Sequence, residues 1–277
     1  MRQSPATDNP ILMKKFKYSQ FISLAMRAKV SLKGKGQIPF NYNLALAGAV
    51  YSNIKRVNSD LAYTIHSSIN YKYFTFSLLQ IPKRKVSSQG IYVEDNAYFL
   101  VSSPIRDIVA SFVEGILENP EVRIGKVRFD VESVEVSKIP EFNGGAVFST
   151  VSPIVVRTVE EENGKLRIRD LYPTDIKFYE NLKSNLIKKY ENLYNEEKED
   201  ISFSRPFSTK FMRIQIKNTY HRASLMVFEA KGDGKLLKLG YEAGFGEKNS
   251  MGFGMVKIVT KLKQKTESKY PNPKRNL

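Results

Sequence analysis

Apolar and polar residues alternate from Phe21 to Val30. Ile22, Leu24, Met26, Ala28 and Val30 share one face, and Ser23, Arg27 and Lys29 the other. That period of two predicts a half-buried strand. A Gly-Lys-Gly turn follows, and Leu46, Val50 and Ile54 then recur every four residues, which predicts a helix over 43–56. The aromatic run YKYFTFSLL predicts a strand over 71–79, and 98–101 closes a hairpin. Pro104 reads as the first position of a helix that carries Ile105, Ile108, Val109, Phe112, Val113, Ile116 and Leu117 and stops at Asn119-Pro120. Alternation returns over 122–136, with a break near Glu132.

The order β-α-β-β-α-β is that of a ferredoxin-like (RRM-like) unit. The second half nearly repeats it. A strand over 146–158 is interrupted at Pro153, and a long helix over 175–194 carries Leu182, Leu186 and Tyr190. Strands follow over 211–217 and 224–231, then a short helix around 235–243 and a last strand over 253–262. The expected class is therefore α+β: two tandem ferredoxin-like domains at 18–140 and 141–265. Residues 1–17 read as a flexible arm and 266–277 as a basic tail.

Composition narrows the chemistry. The 277 residues carry 44 Lys or Arg against 28 Asp or Glu, a net charge of +16. Such an excess favours polyanions. The chain has no apolar run near eighteen residues and no apolar signal core at its start, so the expectation is a cytoplasmic protein that does not cross a membrane. Zero cysteines exclude disulfides, thiolate zinc sites and a thiol nucleophile, and two distant histidines disfavour a metal centre.

The segment 240–254, GYEAGFGEKNSMGFG, holds five of the sixteen glycines. Gly244, Gly246, Gly252 and Gly254 let the backbone turn and approach a ligand closely, and unpaired N–H groups in such a loop suit a phosphate. Lys248, Asn249 and Ser250 add a charge and donors. Lys83 and Arg84, and Lys126 and Arg128, are further candidate contacts to a nucleic-acid backbone, followed by Arg157, Arg167 and Arg169. Tyr71, Tyr73 and Phe76 could stack on unpaired bases. His221, beside Arg222, reads as a surface or RNA-proximal residue, and the acidic stretch 191–200 as one that faces away from RNA.

Three segments in order, IPFNYNLALAGAVYSNIK (38–55), NPEVRIGKVRF (119–129) and GYEAGFGEKNSMGFGMVKI (240–258), resemble the CRISPR-associated endoribonucleases of the Cas-six family, in the RAMP superfamily. The resemblance spans nearly the whole chain after residue 20. It implies cleavage of precursor CRISPR RNA within its repeats, without metal or other cofactor. The ribose 2′-OH would attack the adjacent phosphate, leaving a 5′-OH and a 2′,3′-cyclic phosphate. It also implies a Tyr, a His and a Lys as catalytic residues. By spacing these match Tyr51, His66 and Lys72. The implied partner is the single-stranded 5′ part of a repeat. Dimers occur in the family, and this sequence carries no marker of one.

These residue types suit the reaction. Histidine titrates near neutrality and can act as base or acid. Tyrosine is a poor base unless a neighbouring cation lowers its pKa. Lysine can stabilise charge on the phosphorane-like transition state. On pattern alone His66 is a polar residue in a helix–strand connection; the resemblance gives it a catalytic role. Two other readings stand beside this one: a repeat-RNA-binding subunit of a CRISPR effector complex that does not cut, and a general single-strand binder.

Overall fold

The computed structural model describes residues 25–68, 71–198 and 200–260. The predicted arm, the start of the first strand, the end of the last one and the basic tail lie outside these residues.

The first half contains β1 (Ala25–Lys33), β2 (Gly36–Ile38), α1 (Asn43–Val57), α2 (Ser59–Ser67), β3 (Thr75–Phe76), β4 (Arg84–Ser87), β5 (Gly90–Val93), β6 (Asn96–Ser102), α3 (Arg106–Glu118), β7 (Glu121–Ile124) and β8 (Val127–Lys138). Its main sheet runs β3-β6-β1-β8-β7 with every pairing antiparallel. This is the strand order that two right-handed β-α-β crossovers produce, and it carries α1 and α3 on the sheet. Leu46, Val50 and Ile54 of α1 and Ile108, Phe112 and Ile116 of α3 are fully buried with Val30, Leu32, Phe99 and Phe129 of the strands.

The second half contains β9 (Gly145–Thr150), β10 (Val156–Glu162), β11 (Lys165–Leu171), α4 (Ile176–Tyr194), β12 (Ile201–Phe203), β13 (Ser208–Ile216), β14 (Thr219–Gly232), α5 (Gly234–Ala243), a 3-10 turn over Asn249–Met251 and β15 (Val256–Ile258). Here β12 and β13 lie end to end along β14, and the sheet continues through β9 to β15. The break between β12 and β13 contains Pro206, which has no N–H to donate to a ladder. The ferredoxin-like order thus recurs, and the chain is α+β with two such domains.

Several expectations need correction. A second helix, α2, follows α1 directly; the Asn58 backbone ends α1 and its side chain accepts from Leu61 N–H to start α2. His66 therefore sits on a helix, not in a connection. The expected strand 71–79 shrinks to two paired residues because Tyr73 takes φ of +48° and turns toward α4. Helix α3 starts at Arg106, two residues after Pro104. Strand 122–136 splits into β7 and β8 around Gly125-Lys126, and the break foreseen at Glu132 is a bulge between the Ser31–Ser133 and Leu32–Val131 pairs. After Pro153 the chain leaves the sheet for a separate two-stranded hairpin, β10–β11, closed by Asn163-Gly164 with both φ positive.

The domains meet along a polar seam. Arg27 of β1, 4% exposed, donates to the carbonyls of Val256 and Tyr241 at 2.8 and 2.6 Å and stacks 3.7 Å from the Tyr241 ring centre. Thr75 donates to Phe253 O at 2.9 Å and Asn43 to Met251 O at 3.2 Å. Gly252 completes the contact. Its φ is +80°, and a Cβ there would lie 2.5 Å from the Phe76 ring. Gly252→Ala should therefore lower the unfolding midpoint, by about 1–3 kcal/mol in stability. Urea unfolding checks this, and an unchanged midpoint would contradict the tight seam.

Candidate active site and nucleic-acid interface

α1 and α2 form one wall of the site. Tyr51 lies on the flank of α1 facing the glycine-rich loop, and His66 on the last turn of α2. Their rings meet edge to face with centroids 5.9 Å apart, and Phe74 packs edge-on against Tyr51 at 5.3 Å. Lys72 lies beneath, its Nζ 5.9 Å from the Tyr51 ring centre. The structure thus brings Tyr51, His66 and Lys72 together.

Each has a distinct environment. The Tyr51 hydroxyl is buried without a hydrogen bond of standard geometry, although the Ser250 side chain lies near enough to act on it. Burial raises its pKa, which Ser250 only partly offsets. Tyr51 is therefore a phenol at neutral pH, and Lys72 does not reverse this. Lys72 Nζ instead donates to the carbonyls of Ile65 and His66 at 2.9 and 2.7 Å, closing the end of α2. Burial lowers the Lys72 pKa as well. His66 is solvent-exposed.

The opposite wall is the glycine-rich loop, and its organiser is a residue that sequence reasoning missed. Lys189 of α4, 3% exposed, points into the loop. Its three ammonium protons match three acceptors: Gly244 O at 3.0 Å, Gly246 O at 2.6 Å and Asn249 Oδ1 at 2.7 Å. Burial pulls its pKa down to about 7, while the Glu247 carboxylate, like the three acceptors, favours the charged form. The one signal in the sequence was a lysine three residues after Leu186, on the apolar stripe of a helix.

The loop differs from the expected open phosphate cradle. Gly244, Gly246, Gly252 and Gly254 are buried, and a side chain at any of them would meet protein atoms. The Asn249 side chain is committed internally: its amide donates to Phe245 O and Phe253 O, and its oxygen accepts from Lys189. Ser250 is 7% exposed, beneath Tyr51. Lys248, with φ of +57°, presents its ammonium to the cleft; burial and then Arg157 lower its pKa.

A cleft of about 530 Å³ lies between the 71–74 segment, α4 and the glycine-rich loop, bordered by Tyr71, Lys72, Arg157, Asn185, Glu247 and Lys248, among others; of the three candidate catalytic residues only Lys72 borders it. Arg157 is ion-paired to Glu247. Arg167 and Arg169 pair with Glu162 and Glu160 on the hairpin. Lys83, Arg84, Lys126 and Arg128 do not border the cleft. Arg84 donates to Ile81 O, Arg128 pairs with Glu121, and Lys83 and Lys126 are exposed on separate turns. Phe76 is fully buried and cannot stack on RNA, and the Tyr73 hydroxyl is held by Lys189 O and Asn192. His221 is not a surface residue: it is 4% exposed and edge-on to Phe253. Glu191, at the start of the acidic stretch, acts electrostatically on Tyr71, which borders the cleft. Among the described residues no cluster of three His, Cys, Asp or Glu could hold a metal, and no helix is long and apolar enough to cross a membrane.

Comparison with known proteins covers both domains. Residues 37–135 match the family model of the CRISPR-associated protein Cas6, N-terminal, and residues 137–258 that of the CRISPR associated protein Cas6, C-terminal. The chain is 45% identical over 235 residues to CRISPR-associated endoribonuclease Cas6 1 of Methanocaldococcus jannaschii, covering 83% of this chain and 91% of that one. It is 36% identical over 225 residues to CRISPR-associated endoribonuclease Cas6 of Pyrococcus furiosus, covering 80% and 84%. Two solved structures are close. A Cas6-related protein from Pyrococcus furiosus superposes with a TM-score of 0.80 at 36% identity, over 86% of this chain and all of that one. An RAMP protein described as binding different RNA substrates gives 0.78 at 35% identity, over 84% and 99%.

Lys189→Met keeps an unbranched apolar stem but removes the ammonium and all three of its donors. One unsatisfied buried acceptor costs about 1–3 kcal/mol, so this variant should lose at least that much in urea unfolding. A variant as stable as the parent would contradict the clamp.

Proposed function

The chain belongs to the Cas6 family of CRISPR-associated proteins, and on that premise we propose that it is an endoribonuclease that cuts precursor CRISPR RNA within its repeats. The observation that carries this reading is the meeting of Tyr51, His66 and Lys72, the last of which borders a cleft together with Lys248.

The reaction needs no metal in this reading. The 2′-oxygen forms a bond to phosphorus as the bond from phosphorus to the 5′-oxygen breaks. One proton leaves the 2′-OH and one reaches the 5′-oxygen, giving a 2′,3′-cyclic phosphate and a 5′-OH. Exposed His66 is the proton carrier for one of these transfers. Tyr51, held as a phenol by burial, donates a hydrogen bond and positions the reacting group rather than acting as base. Reaching its buried hydroxyl requires the Ser250 side chain to give way when RNA binds. Lys72 and Lys248 supply positive charge where charge builds on the phosphate. Single-stranded repeat RNA is the expected substrate, since a cleft of about 530 Å³ has room for unpaired nucleotides and not for a duplex.

Replacing His66 by Ala should lower the cutting rate about 10²–10⁴-fold while leaving RNA affinity within a few-fold of the parent. Cutting should persist in EDTA. A His66→Ala enzyme with the parent rate would overturn the catalytic assignment of His66, Tyr51 and Lys72, whereas tight binding of repeat RNA by the parent with no cut would shift the reading to a binding subunit. The pH profile separates the two aromatic residues. A rate that climbs tenfold per pH unit up to pH 10 would make ionised Tyr51 the base, whereas a profile without that climb fits Tyr51 as a neutral phenol.

A further inference from the structure

We propose that the part of the cleft bordered by Tyr71 and Asn185 is a pocket for one unpaired nucleobase flanking the cut, with Tyr71 as its stacking face and the Asn185 amide reading its edge. This rests on the RNA-cleaving reading above and names the part of the substrate that the cleft receives.

The cations that border the cleft differ in how far they are committed. Lys72 and Lys248 border it, whereas Lys189 is spent on three acceptors of the loop and Arg157 on Glu247. Tyr71 and Asn185 border the same cleft and offer a flat and a polar surface. Tyr71 is half-buried, with the Lys189 ammonium 5.9 Å from its ring centre. Burial, with Glu247 and Glu191, keeps its phenol protonated and the ring neutral. Across from it on α4, one turn before Lys189, the Asn185 amide oxygen is buried with no hydrogen-bond partner among the described residues. An unpaired buried amide is costly, and the broad terminal torsion of asparagine lets it turn its edge toward a ligand. An amide presents a donor beside an acceptor, the pattern that matches a base edge. The volume, about 530 Å³, suits a ligand of nucleotide size. Tyr71 adjoins Lys72 in sequence, so a base on Tyr71 places its own phosphate at the catalytic residues.

The test uses the full chain and repeat RNAs that are intact or carry a single abasic residue immediately 5′ or 3′ of the cut, reading both cutting rate and affinity by fluorescence anisotropy. The parent protein should lose roughly 5- to 100-fold on one of the two abasic RNAs, the range for removal of one stacked base. Tyr71→Ala and Asn185→Ala should lose comparably on intact RNA but little more on that abasic RNA, because the base they hold is already gone. Tyr71→Phe, which keeps the ring, should recover most of what Tyr71→Ala loses on intact RNA. Parent protein that treats all three RNAs alike, or variants that fall equally on intact and abasic RNA, would overturn the pocket. Intact RNA bound but not cut by the parent would count against the nuclease reading alone, since affinity still reports on the pocket.

Discussion

Everything at the site depends on one buried ammonium. The loop over 244–254 crosses from the second domain to the first, and its carbonyls turn inward to do so. Without Lys189 those carbonyls would be buried and unpaired. With it, α4, the loop and the Asn249 side chain become one hydrogen-bonded unit. Asn249 passes the constraint on through Phe245 and Phe253, and Phe253 O in turn accepts from Thr75 in the first domain. Ser250 is thereby set against Tyr51. A residue with no part in the chemistry thus fixes the distance between the two walls of the site.

Charge is distributed by the same logic. A net charge of +16 suggests a uniformly basic surface, but many of the cations near the cleft are occupied. Arg157, Arg167 and Arg169 are paired with carboxylates, Lys189 with carbonyls, and Lys72 partly with the end of α2. Strong attraction to RNA comes from the surface as a whole and should be salt-dependent. In the proposed reaction Lys72 and Lys248 would act at close range at the cut, in surroundings dry enough to lower the pKa of each. Lys72 has two roles at once, since the bonds that end α2 also hold His66 opposite Tyr51.

The fold was legible where local pattern decides it. The period-two and 3.6-residue runs revealed both ferredoxin-like units, because each element buries one face. The β10–β11 hairpin, which lies between the strand over 146–158 and the helix over 175–194, has a local mark of its own in the Asn163-Gly164 turn that closes it. The helix α2 was missed because nothing apolar marks the junction; Asn58 caps both helices through backbone and side chain together. The site was legible only in part. Tyr51, His66 and Lys72 came from resemblance, and the structure supplies their proximity. The loop was recognised by its glycines, but their purpose was misjudged: tight packing against Phe76, Val155 and Phe245 needs glycine as much as a ligand would. Lys189, Asn185 and Glu247 gain their meaning from contacts 55 or more residues away in the chain, or from facing a common cleft, and no local pattern encodes that.

The most direct test is a single atom in the substrate. Purified protein is mixed with repeat RNA and with the same RNA carrying one 2′-deoxy nucleotide at the cut, and the products are resolved on a denaturing gel. The account predicts one cut in the first RNA, none at that position in the second, and equal affinity for both. Cutting of the deoxy RNA at the same position would show that the 2′-oxygen is not the nucleophile, and the roles given to His66, Tyr51 and Lys72 would fall with it.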